Sequence, residues 1–257
     1  INWISNYTLA PKGLVLKLFL VNNKIINHTI SEDINFTLKT KQVLLNTEQQ
    51  KSYNIIKKNL FNFSQPIVLE GVTGSGKTEV YFEAVENMLN SKKQILILLP
   101  EISLTPQFEK RFLDRFGFLP EIWHSKITDK KRNRTWNVCL CGNPSVIIGT
   151  RSSLFLPFKS LGLIVVDEEH DMSFKQEENI RYHARDLAIV KAKIEKIPIL
   201  LSSATPSLET INNINQKNFT HLYLSKQYSG IDLPNIELID LNKEKLEKNK
   251  WVSKQII

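Results

Sequence analysis

The chain has 257 residues, of which 42% are apolar and 23% charged, enough for a sizeable core in one large domain or two smaller ones. No apolar run approaches the roughly 18 residues that a membrane-spanning helix needs, and residues 1 to 20 lack the charged-apolar-small order of a secretory signal, so the expectation is a cytoplasmic protein with no membrane partner. The net charge of +8 suits a nucleic-acid partner, although the abundance of Lys, Asn and Ile is also what AT-rich coding produces without selection on charge.

In chain order, residues 1 to 46 hold short apolar stretches such as Leu14 to Val21 and no chemical motif. A helix start is predicted at Thr47-Glu48-Gln49-Gln50, with acid and amide groups in its first turn. Apolar runs then alternate with amphipathic segments. The predicted strands are Ile67–Leu69, Gln94–Leu99, Ile122–His124, Val146–Gly149, Leu163–Val166 and Ile199–Ser202. The predicted helices are Glu79–Leu89, Phe108–Phe116, Lys130–Leu140 and His183–Lys196. This order predicts an α/β fold, a mostly parallel sheet with helices on both faces and ligands at the carboxyl ends of the strands. After Leu208 a short helix and two edge strands, His221–Leu224 and Ile236–Leu241, are predicted, followed by a Lys-rich solvated stretch from Asn242 to Lys254.

Three strand ends carry chemistry. The first is Gly71-Val72-Thr73-Gly74-Ser75-Gly76-Lys77-Thr78, a match to the phosphate-binding pattern G-x-x-x-x-G-K-[ST] between an apolar run and a helix. Its glycines let backbone N–H groups converge on phosphate oxygens, and the next helix aims its positive end at the same point. Lys77 is placed for the β- and γ-phosphates of a nucleoside triphosphate and the Thr78 hydroxyl for Mg²⁺. The second is Asp167-Glu168-Glu169-His170 at the end of Leu163–Val166. Here Asp167 is the candidate for the Mg²⁺ hydration shell and Glu168 for polarising the attacking water. The third is Ser202-Ser203-Ala204-Thr205-Pro206-Ser207, whose hydroxyls could relay the state of the γ-phosphate to nucleic acid, or simply form a turn. Cys139 and Cys141, separated by one residue and without a second pair, offer no zinc site and are read as reduced thiols.

Seven ordered segments, GVTGSGKTEVY, LPEISLTPQ, HS, GTRSSLFLPF, VDEEHD, RYHARDLA and SATPSLE, resemble the core of the primosomal replication-restart helicases of superfamily 2. The resemblance implies a RecA-like P-loop lobe over residues 47 to 241, using ATP and Mg²⁺. It also implies an ATP-dependent 3′-to-5′ DNA helicase acting in restart of stalled replication forks and primosome assembly. Forked or single-stranded DNA, primosome proteins and single-strand-binding proteins are the implied partners. Gln49 would read adenine. Thr105, Thr150 and Arg151 would line the track for one DNA strand. His170, Phe174, Tyr182, His183, Arg185 and Thr205 would bind DNA or couple it to hydrolysis, with Phe174, Tyr182 and His183 stacking on bases or packing in the core. The family usually has Trp where Ile180 stands, which puts the strength of coupling in question. Residues 1 to 46 are expected to be a truncated remnant of an N-terminal DNA-binding region, and 242 to 257 the start of a link to a second lobe. A first lobe alone leaves a second possibility, a remnant that binds ATP or DNA without unwinding.

Overall fold

A computed structural model describes residues 1–20, 40–61, 65–103, 105–227 and 239–240. Seven strands form one sheet: β1 (Ile67–Gly71), β2 (Gln94–Leu98), β3 (Glu121–Trp123), β4 (Ser145–Gly149), β5 (Leu161–Asp167), β8 (Ile199–Ser203) and β9 (Thr220–Leu224). Their spatial order is β3-β4-β2-β5-β8-β1-β9, and every pairing in it is parallel. Two further short strands, β6 (Lys175–Gln176) and β7 (Tyr182–His183), pair antiparallel in a separate ribbon.

The central strands are apolar at consecutive positions because both faces of the sheet are covered. Ile95, Ile97, Leu163 and Val165 point into one core, under helices α3 (Thr47–Asn59), α4 (Lys77–Asn90) and α5 (Pro106–Phe116). Their neighbours Leu96, Leu98, Ile164 and Val166 point into the other, under α6 (Asp129–Cys141) and α7 (Ala184–Glu195). Two N-terminal helices, α1 (Asn2–Thr8) and α2 (Lys12–Phe19), lie on that second side, with Phe19 edge-on to Phe155 at 5.2 Å. Helix α8 (Leu208–Asn215) leads into β9.

Side-chain caps set the starts of four helices. Asn46, Thr105, Thr128 and Ser207 accept hydrogen bonds from backbone N–H groups of α3, α5, α6 and α8. The predicted strand at His221–Leu224 is β9, an edge strand as expected. The Lys-rich stretch from Asn242 to Lys254, and all of the predicted strand Ile236–Leu241 except 239–240, lie outside the described residues.

Candidate nucleotide-binding site

The phosphate-type loop joins the end of β1 to the start of α4. Gly74 and Gly76 hold φ of 78° and 81°, a left-handed conformation that a Cβ penalises, so glycine is required at both bends. Lys77 begins α4 and is buried. Its Nζ donates to the Gly71 carbonyl at 2.8 Å, which parks the ammonium against the loop. Burial lowers the Lys77 pKa, and the carboxylates of Glu168 and Asp167 oppose that shift. All three therefore feel one another across a single cleft of about 360 Å³. Gly74, Gly76, Lys77 and Thr78 line one wall and Asp167 and Glu168 another.

Asp167 ends β5. Its Oδ2 accepts from the Tyr81 hydroxyl of α4 at 2.9 Å, and its Oδ1 from the Glu168 backbone N–H at 3.1 Å. Tyr81 is fully buried, and burial together with the Asp167 charge raises its pKa well above the ordinary phenol value, so it remains a donor. These two bonds aim the Asp167 carboxylate and leave further lone pairs on both oxygens. Mg²⁺ is held at phosphate sites by one or two carboxylates plus phosphate oxygens and waters. Asp167 and the Thr78 hydroxyl on one cleft suit that demand. Among the described residues no group of three or more His, Cys, Asp or Glu could hold a metal by itself.

Glu168 takes φ of 50°, a left-handed conformation costing a non-glycine residue about 1–2 kcal/mol. Desolvation and the adjacent Asp167 charge raise its pKa above the usual carboxylate value, making it a stronger base than a surface glutamate.

The next residue, Glu169, is the least exposed carboxylate of the acidic segment and the hub of a network not foreseen from the sequence. Its Oε2 accepts from Arg185 Nη1 at 3.0 Å, Thr210 Oγ1 at 3.0 Å and Ser207 Oγ at 3.2 Å, and its Oε1 from the Ser207 N–H at 2.8 Å. The strand periodicity gave no hint of it, because two separated segments, α7 and the start of α8, supply the partners. His170 makes a second link: its Nδ1 lies 2.8 Å from the Ser203 hydroxyl, which also accepts from the Thr205 N–H at 3.0 Å. The acidic segment and the Ser-Ala-Thr segment are thus directly bonded at the tips of β5 and β8.

Several expected roles meet a different geometry. Phe174 and Tyr182, expected to stack on bases or pack in the core, are 1% and 6% exposed. Tyr182 packs edge-on against Phe155, and burial pushes its hydroxyl pKa up to about 12. Both rings are core residues, because the β6–β7 ribbon folds their apolar faces onto the sheet. Ile180 is buried among them, so an apolar side chain there fills core space. Arg185 is sealed in its Glu169 ion pair and also bonded to Asp186, so it offers no free guanidinium to DNA. Gln49 is fully buried against the phosphate loop: its Nε2 donates to the Ser75 carbonyl at 2.8 Å and its Oε1 caps α3 by accepting from the Asn46 N–H at 2.9 Å. His183 is half-buried at the start of α7, with Nδ1 lacking a hydrogen-bond partner.

Of the residues expected to line a strand track, Thr150 and Arg151 border a second hollow of about 450 Å³, together with Glu101, Ser125, Tyr182 and Lys17 of α2. Gly149 leads into it, and a Cβ there would come within 2.7 Å of the Trp123 carbonyl. Arg151 clips the ribbon in place, donating to the carbonyls of Ser173 at 3.1 Å and Lys175 at 2.9 Å. Thr105 spends its hydroxyl on capping α5, and Thr205 is exposed.

A glycine-lined loop facing an acidic strand tip on a parallel sheet defines a P-loop nucleotide-binding lobe of RecA-like type. The DEAD/DEAH box helicase family model matches residues 46–214, and the chain belongs to that family. Among curated proteins it is 46% identical to the Replication restart protein PriA of Rickettsia prowazekii (strain Madrid E), over 100% of this chain and 39% of that protein. It is 37% identical to that of Bacillus subtilis (strain 168), over 82% of this chain and 26% of that protein. The chain thus spans 39% of the length of its Rickettsia prowazekii relative. Among solved structures, RecG bound to a three-way DNA junction aligns with a TM-score of 0.53 at 20% identity, covering 71% of this chain and 24% of that one. MrfA bound to DNA and AMPPNP aligns at 0.52 and 17% identity, covering 85% and 34%. At these identities the likeness speaks for the fold.

Proposed function

We propose that this chain carries the ATP-hydrolysing lobe of a replication-restart DNA helicase of the PriA kind, moving 3′-to-5′ at forked or single-stranded DNA. One observation carries the reading. The loop of Gly71–Thr78 and the pair Asp167–Glu168, far apart in sequence, line a single cleft. Backbone N–H groups of the loop and the start of α4 receive the phosphates, and Lys77 leaves the Gly71 carbonyl to balance charge on the β- and γ-oxygens. Thr78 and Asp167 would hold Mg²⁺, which when bound screens the phosphate charge. Glu168, with its raised pKa, accepts a proton from the attacking water. The contact of His170 with Ser203 supports a relay from this chemistry to the Ser-Ala-Thr segment. Primosome and single-strand-binding proteins are proposed partners by the same kinship.

The test is an ATPase assay with and without forked DNA. Hydrolysis that rises with DNA and is lost in Lys77→Ala supports the proposal. A rate indifferent to DNA, or an active Lys77→Ala, overturns it. Strand displacement from duplexes with 3′ or 5′ tails then tests the direction of movement.

A further inference from the structure

We infer that Tyr81, on helix α4, is a positioning residue for the Mg²⁺ ligands: its hydroxyl joins Thr78 to Asp167 and fixes how both face the phosphate cleft. This rests on the nucleotide reading above and concerns only what stands behind the two ligands.

Tyr81 does not itself reach the nucleotide. It is 0% exposed, and its ring lies in the core beneath α4, edge-on to Phe82 at 5.2 Å. Thr78 and Asp167 border the cleft, and Tyr81 stands one layer behind them. The ring serves packing, as a phenylalanine would. The hydroxyl adds something else. A buried phenol oxygen needs a polar partner, and this one donates to Asp167 Oδ2 at 2.9 Å, tying α4 to the tip of β5 across 86 positions of sequence.

Thr78 precedes Tyr81 by one turn on the same face of α4, and its side chain hydrogen-bonds the same phenol oxygen. Counting protons gives that bond its direction. The phenol has one proton, and the Asp167 carboxylate, which has none to give, takes it. Thr78 therefore donates to Tyr81, and Tyr81 donates to Asp167. A hydroxyl binds a cation through its oxygen lone pairs, so its proton has to point elsewhere, and Tyr81 receives it. Asp167 is held at Oδ2 by Tyr81 and at Oδ1 by the Glu168 N–H, so its carboxylate is fixed at both oxygens. Two ligands from separate elements are thus oriented by the protein alone. Mg²⁺ demands near-ideal octahedral geometry, and the groups that orient metal ligands typically govern metal affinity by about 10- to 100-fold.

Tyr81→Phe keeps the ring and removes only the oxygen. On the full chain, the affinity of a fluorescent non-hydrolysable ATP analogue is measured in EDTA and in Mg²⁺, and Mn²⁺ binding to the nucleotide complex is followed by electron paramagnetic resonance. Tyr81→Phe should leave the affinity in EDTA within about twofold of wild type and weaken Mn²⁺ about 10-fold, the low end of the range because phosphates and waters supply the other ligands. In an Asp167→Ala background the same substitution should weaken Mn²⁺ by no more than about threefold, since one of the two groups the phenol holds is gone. Equal weakening with and without metal, an unchanged Mn²⁺ affinity, or the full loss repeated in the Asp167→Ala background each overturns the inference. The nucleotide reading is judged separately. Wild-type protein that binds no analogue in either condition refutes that reading and the inference with it, whereas binding that Lys77→Ala abolishes upholds the cleft whatever Tyr81 does.

Discussion

Removing the Glu169 carboxylate is a severe perturbation that leaves the phosphate loop untouched. Glu169 and Arg185 side chains are 0% and 6% exposed, so their ion pair is buried. Taking one partner from such a pair costs about 3–5 kcal/mol, mostly because the other charge is left uncompensated. Arg185 would keep Asp186 at 2.8 Å, though that carboxylate is 41% exposed, and it has only a distant contact with Glu209 at 3.9 Å. The retained Asp186 contact puts Glu169→Ala at the lower end, about 3 kcal/mol. The same carboxylate receives the Ser207 N–H at the start of α8, adding about 0.3–1 kcal/mol of lost helix-end stabilisation. Together these predict a midpoint lowered by roughly 6–16 °C at about 2–4 °C per kcal/mol. Thermal melts of the full chain measure that shift and urea denaturation the free energy, with Arg185→Ala and the double variant closing a cycle. The double variant should cost less than the sum of the singles by at least about 1 kcal/mol. A Glu169→Ala protein within about 0.5 kcal/mol of wild type, or strict additivity, would show that the pair is not a coupled buried unit.

Two other outcomes follow from burial and charge. Phe174→Ala should destabilise by about 3–5 kcal/mol in thermal or urea melts, whereas a base-stacking ring would leave stability near wild type and reduce DNA affinity alone. Glu168→Gln should abolish hydrolysis yet raise stability at neutral pH. The folded pKa of Glu168 lies above its unfolded value, so ionisation favours the unfolded chain. Wild-type stability therefore falls as pH rises from the unfolded pKa through the folded one, and the advantage of the Glu168→Gln variant should vanish near pH 4; melts at about pH 4 and 7.5 check it.

Much of the architecture was legible because it is local. Consecutive apolar residues in Ile95–Leu98 and Leu163–Val166, alternating with amphipathic helices, fit strands buried on both faces, and the glycines at 74 and 76 mark bends that other residues resist. The loop and the acidic pair could each be read from a single short segment. The sequence could also name Arg185, Phe174 and Tyr182 as notable, but not say which way they face. That depends on the β6–β7 ribbon, clipped by Arg151, and on Glu169 meeting α7 and α8. The bond of Gln49 to the phosphate loop was hidden for the same reason, since Ser75 arrives from 26 residues away.

The sequence by itself therefore determined the strand and helix order, the phosphate loop and the acidic tip, because backbone conformation and hydrophobic period are properties of neighbouring residues. Only the tertiary structure decided which polar side chains, like Glu169 and Arg185, are spent inside the protein and which stay at the surface. A charged group's availability depends on every partner that folding brings within hydrogen-bond reach, and those partners come from distant parts of the chain.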